Sequence, residues 1–209
     1  MSAEIITTDG ALEPTTQPPA LSAEDSLRAE GYALLGALLR APASQELLNL
    51  LAGIEIDSAR SPIEHAYSTL QQSASHSQAS SVSQEYQSLF IGIGRGELLP
   101  FGSWYQTGFM MEKPLIKLRQ DLAELGFERQ QQTHEPEDHV AALCEVMAYL
   151  VQEHSNEQQQ RFFRSHIQGW ILRFFEDLQN ANNASFYIAV GQLGEALMQT
   201  EINRFNQPQ

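Results

Sequence analysis

The stretch Glu135–Leu150, EPEDHVAALCEVMAYL, begins with a polar cluster and runs straight into an amphipathic helical pattern. The apolar part reads as a helix. The polar part places four ionisable side chains in five positions, where a cap needs one or two. Pro136 suits a first helical turn, with Glu135 at or near the N-cap. Glu137 and Asp138 would then sit where the helix dipole favours negative charge, each worth about 0.3–1 kcal/mol. His139 is not explained this way. A cation is disfavoured at a helix N-terminus, so the ring is expected to be neutral and open to hydrogen bonding.

Helical spacing continues on both sides of this stretch. SAEDSLRAEGYALLGALLRAP starts with Ser22 as N-cap and stops before Pro42. ASQELLNLLAG ends at Gly53, and SPIEHAYSTLQQSA carries Ser61 as cap and Pro62 at the first helical position. SVSQEYQSLFIG, MEKPLIKLRQDLAELGF, NEQQQRFFRSHIQG, WILRFFEDLQNAN and ASFYIAVGQLGEALMQTEINRF have the same character. The Ser-rich run from Ser73 to Ser83 reads as a loop, and so does Gly92 to Ser103. No alternating β-branched run bounded by hairpin turns occurs. The expectation is therefore an all-α, bundle-like domain of about eight to ten helices over residues 22–206. Residues 1–21, rich in Thr and Pro, read as a flexible tail.

The 209 residues include 26 acidic and 12 basic ones, a net charge of −14. Such a surface repels nucleic-acid phosphates and anionic membranes and favours cationic partners. The single cysteine, Cys144, excludes an internal disulfide and a Cys-rich zinc site, and its apolar helical setting makes it a small core residue. No apolar run is long enough to span a bilayer. The N-terminus lacks a basic region followed by an apolar one, so a cytoplasmic location is expected.

Two places could carry chemistry. In GIGRGELLPFGSWYQTG, Gly92, Gly94 and Gly96 alternate as in a phosphate loop, but no Lys-Ser/Thr pair follows and no strand precedes them. A helix stop running into a turn accounts for the glycines. The aromatic residues that follow, Phe101, Trp104, Tyr105 and Phe109, either fold onto the core or await a partner. The second place is HEPEDH. A metal could be held by His134, Glu135, Asp138 and His139, but the spacing matches no two-histidine helix motif, so no metal is expected. A nucleophile elbow is absent.

Both segments resemble the TorD/DmsD/NarJ family of redox-enzyme maturation chaperones. Glu135-Pro136-Glu137-Asp138-His139 is similar to its E-(P)-x-D-H signature. Tyr86, Leu89, Phe90, Gly92, Gly94, Pro100, Ser103 and Tyr105 are similar to its second signature: an aromatic residue, Leu-Phe, a Gly-x-Gly turn, Pro and Ser-x-Tyr. The resemblance covers about Ser22 to Phe205. Ile93 departs from it, standing where many members have Pro.

The resemblance implies a cytoplasmic chaperone and not an enzyme. Its partners would be the twin-arginine signal peptide and apo-form of a molybdenum or tungsten oxidoreductase, held until molybdopterin is inserted. The C-terminal FFEDLQNANNASFYIAVGQLGEALMQTE resembles members associated with formate dehydrogenases. The implied binding residues are Glu135, Asp138 and His139, with Tyr86, Leu89, Phe90, Pro100, Phe101, Ser103, Trp104 and Tyr105 alongside. Carboxylates suit the leader's guanidiniums, and an apolar groove suits its hydrophobic segment. No permanent cofactor is implied; molybdopterin belongs to the client. Weak GTP binding at Gly92, Gly94 and Gly96 is one alternative, and a helical adaptor is another. A monomer is expected, with a domain-swapped dimer as the alternative.

Overall fold

The computed structural model describes residues 21–56, 60–110, 113–127 and 136–207. The expected N-terminal tail lies outside them apart from Leu21. The helices are α1 (Ala23–Arg40), α2 (Gln45–Ala52), α3 (Pro62–Ser75), α4 (Ala79–Tyr86), α5 (Gly102–Thr107), α6 (Lys113–Glu124), α7 (Val140–Glu153), α8 (Asn156–His166), α9 (Ile171–Asn180) and α10 (Phe186–Asn206). A π-helical turn, Gln87–Ile91, follows α4 directly. Among the described residues there is no strand, only an isolated antiparallel bridge between Phe101 and His139. The all-α expectation holds.

Local chemistry sets many of the helix starts. The Ser22 hydroxyl accepts the Asp25 N–H, and the Ser44 hydroxyl accepts that of Leu47. Ser61 with Glu64 and Ser155 with Gln158 form reciprocal capping boxes. Helix α10 has no side-chain cap of its own. Instead the Glu85 carboxylate accepts the N–H groups of Ser185 (2.7 Å), Phe186 (3.1 Å) and Tyr187 (2.7 Å). That contact satisfies orphan donors of α10 from α4.

Helix α1 lies along α7, while α10 packs on α9 and α3, and α2 packs on α3. The core is contiguous. Tyr32, Leu35 and Leu38 of α1 share it with Met147 and Leu150 of α7, Phe174 and Phe175 of α9, and Tyr187 and Leu193 of α10. Each fully buried Leu or Phe contributes about 1.5–3 kcal/mol of transfer free energy. Cys144 is in this core, as expected, and burial with the nearby Glu145 charge pushes its thiol up to about 12. One ionic brace crosses the core. Arg28 of α1 donates from Nε and Nη2 to the two oxygens of Glu201 on α10, at 2.6 and 2.7 Å.

Two expectations are corrected. The Ser73–Ser83 loop is mostly helix: α3 runs to Ser75 and α4 begins at Ala79. Ala74 and Val82 are buried there, so apolar contact overrides the polar appearance of the run. Helix α7 starts at Val140, later than Pro136, and its N-cap is His139. Glu137 and Asp138 form a turn before the helix, closed by the His139 N–H to the Pro136 carbonyl (3.2 Å). Glu135 lies outside the described residues.

Candidate functional site

The two signature segments meet through backbone hydrogen bonds. The Val140 N–H donates to the Pro100 carbonyl, and the Gly102 N–H donates to the Asp138 carbonyl, both at 2.9 Å. The Asp138 side chain adds a third bond, its Oδ2 accepting the Ser103 N–H at 2.6 Å. Asp138 thus satisfies, from another part of the chain, two buried donors of the first turn of α5 that have no intrahelical partner. The His139 Nδ1 accepts the Ala141 N–H at 3.1 Å, so the ring proton resides on Nε2. The ring meets Phe101 edge-on, with centroids 5.0 Å apart. Burial, with the Arg40 charge as a second cause, lowers the His139 pKa to about 4.

This geometry corrects the expected open anionic notch. Asp138 and His139 are each 4% exposed and serve the backbone. The Asp138 Oδ1 is buried with no hydrogen-bond partner among the described residues. Glu137 pairs with Arg119 of α6 at 2.9 Å. Ser103 and Leu89 are fully buried, while Tyr86 is 7% exposed and donates to the Arg40 carbonyl at 2.9 Å. Of the expected binding residues, Asp138, His139, Ser103, Leu89 and Tyr86 are buried behind the loop and do not form its outer face.

The outer face is formed by the loop itself. The π-helical turn ends where the Gly92 N–H donates to the Gln87 carbonyl at 2.7 Å. The chain then reverses, and the Glu97 and Leu98 N–H groups donate to the carbonyls of Ser88 (3.2 Å) and Leu89 (2.8 Å). This reversal explains the glycine spacing. Gly92 has φ +62°, and a Cβ there would lie 2.0 Å from the Arg95 carbonyl oxygen. A Cβ on Gly96 would lie 2.5 Å from the Phe90 carbonyl carbon. Backbone geometry thus accounts for Gly92 and Gly96.

The aromatic residues divide between the two faces. Tyr105 stacks on buried Trp170 at 5.6 Å and donates its hydroxyl to Asp177 at 2.8 Å. Burial and that carboxylate hold its pKa well above the ordinary tyrosine value. Phe90 packs against Tyr86 and Tyr187, so it is half core. Trp104 is half-buried, and the Arg95 guanidinium lies 4.7 Å from its ring centroid. Ile91, Ile93 and Phe109 present 53%, 108% and 68% of their surface. Sequence reasoning passed over Ile91, Arg95 and Glu97, although all three flank the glycines that drew attention.

With these contacts in view, the comparisons with known proteins are direct. A model of the nitrate reductase delta subunit family matches residues 56–176, a span holding both signature segments. The chain belongs to this family, which includes NarJ, TorD and DmsD. It is 32% identical over 114 residues to the probable Tat proofreading chaperone DmsD of Haemophilus influenzae, covering 54% of this chain and 56% of that one. It is 27% identical over 127 residues to the chaperone protein TorD of Shewanella piezotolerans, covering 56% and 59%. The matched stretch thus spans little more than half the length of these curated relatives. A proposed redox enzyme maturation protein of Archaeoglobus fulgidus shares the fold, with a TM-score of 0.57 at 15% identity over 90% of this chain and 99% of that one.

Among the described residues, no group of three or more His, Cys, Asp or Glu side chains could hold a metal ion. No described helix is long and apolar enough to cross a membrane.

Proposed function

We propose that this chain is a cytoplasmic chaperone that binds the twin-arginine signal peptide and apo-form of a molybdopterin oxidoreductase. It holds that precursor for cofactor insertion before export, and the client is a formate dehydrogenase. The observation that carries the reading is the family match across residues 56–176, which includes both signatures. The names of the relatives, Tat proofreading chaperone and chaperone protein, support the partner class. The acidic balance, 26 acids against 12 bases, suits a cationic leader.

The surface that suits the leader is the outer face of the Gln87–Phe109 segment, where Ile91, Ile93 and Phe109 are exposed and Trp104 is half-buried. Asp138 and His139 act behind it by tying that segment to α7. In this reading Glu135 supplies a carboxylate for the client's arginines.

The test is a pull-down with the full chain from anaerobically grown cells, read by mass spectrometry. The expected result is enrichment of one molybdoenzyme precursor with its twin-arginine leader intact, and loss of that precursor when the leader is deleted. A formate dehydrogenase as the captured protein supports the client assignment; another molybdoenzyme removes that assignment and keeps the chaperone. Capture of no leader-bearing precursor overturns the reading.

A further inference from the structure

The Gly92–Gly96 tip is held far more firmly than a solvent loop requires. Glu97 is the anchor. Its Oε1 accepts from the Asn182 N–H (2.6 Å) and side-chain amide (3.0 Å), and its Oε2 accepts from the Asn183 N–H (3.1 Å) and side-chain amide (2.7 Å). All four bonds reach the turn between α9 and α10. Burial alone would raise the Glu97 pKa, but these donors outweigh it and hold the carboxyl below its usual range. On its other side the tip is closed by the Leu98-to-Leu89 backbone bond and by the tight approach of Gly96 to Phe90.

What this clamp presents is apolar. Ile93, at the apex, is fully exposed at 108% and contributes nothing to the core. Ile91 is 53% exposed on the same turn. The neighbouring cation, Arg95, is laid over Trp104. A guanidinium beside the tip repels the arginine end of a leader and leaves the uncharged segment as the part that fits there. A loop fixed before binding loses little conformational entropy on contact.

We infer that Ile93 is a contact for the apolar segment of the leader peptide, and that Glu97 is the positioning residue that holds Ile93 in place. The inference rests on the leader-binding reading above. It gives that site a polarity: the uncharged segment lies along the tip, and the arginines lie away from Arg95.

The test is titration of the full chain with two synthetic peptides, a complete leader and a shortened one carrying the arginines without the apolar segment. Ile93→Ser weakens the complete leader roughly fivefold, the effect of losing part of one buried aliphatic side chain. It leaves the shortened peptide and the thermal melt unchanged. Glu97→Ala weakens the complete leader to a similar degree, leaves the shortened peptide unchanged, and adds nothing further in the Ile93→Ser background. A merely structural role for Glu97 would weaken both peptides and add to the Ile93 effect, and either result overturns the assignment. Equal affinity of Ile93→Ser and the native chain for the complete leader also overturns it while leaving the chaperone reading intact. If the native chain binds neither peptide, the chaperone reading falls and this inference falls with it.

Discussion

Asp138 and Glu201 are both buried carboxylates, and the protein uses them in opposite ways. Glu201 is matched charge for charge. Arg28 grips both its oxygens, Tyr32 donates its hydroxyl to Oε2 at 3.1 Å, and Asp25 takes the remaining face of the guanidinium at 2.6 Å. Burial alone would lower the Arg28 pKa, but the bonds and charge of Glu201 outweigh it and raise it above the ordinary range. Asp138 instead spends Oδ2 on one backbone N–H and keeps Oδ1 without a partner among the described residues. The first carboxylate braces α1 against α10. The second fixes the start of a six-residue helix, α5, and the loop before it. One buried acid holds the scaffold, and the other holds the candidate site.

The contrast can be broken experimentally, beginning with the largest effect. Glu201→Ala leaves Arg28 buried without its main counter-charge, and the unfolding free energy should fall by about 3–5 kcal/mol. Urea denaturation checks it; a loss below about 1 kcal/mol would mean that water reaches the pair and that the brace is not buried in practice.

His139 should give a comparable effect, but only in acid. Its folded pKa of about 4 lies below the ordinary 6.5, because the buried ring resists charging. Both states are neutral above pH 6.5, so the contribution is complete there. As the pH falls towards about 4, the unfolded chain takes up a proton that the folded chain refuses, and stability drops by on the order of 3 kcal/mol. His139→Asn keeps a capping side chain and should lose that part of the slope. Stability curves for both proteins across this window decide it, and identical slopes would remove His139 as the source.

Asp138→Ala comes next. It strips the Ser103 N–H of its acceptor at a buried site, and about 1–3 kcal/mol of stability should be lost. Asp138→Asn retains an acceptor oxygen and should recover most of it. Leader affinity should follow the same order, since Asp138 acts through the loop. If Asp138→Asn abolishes leader binding while folding normally, the charge itself meets the client and the contrast with Glu201 narrows. Trp104→Ala should have the smallest effect on folding, below about 1 kcal/mol for a half-buried ring, while still weakening the leader. Collapse of the melt would place Trp104 in the core.

The glycine loop allows a separate check. Because Gly92 and Gly96 are explained by positive φ and close backbone approach, guanine nucleotide should leave the melting temperature unchanged. A concentration-dependent rise would assign the turn a ligand.

Helical spacing, the Ser22 and Ser61 caps, Pro62 and the absence of alternating strands were enough to specify an all-α chain, because these are local signals. The candidate site was legible as well, as two signature segments each contiguous in sequence. The orientation of its side chains was not. Periodicity places Asp138 near a helix start, but only the bonds from Val140 to Pro100 and from Gly102 to Asp138 turn it inward. The Ser73–Ser83 run became helix for a similar reason: Ala74 and Val82 find apolar surface that no local rule anticipates. Sequence thus determined the all-α class and most of the helical segments. Tertiary structure decided which of the site's residues face water, because burial and long-range hydrogen bonds depend on neighbours tens of residues away.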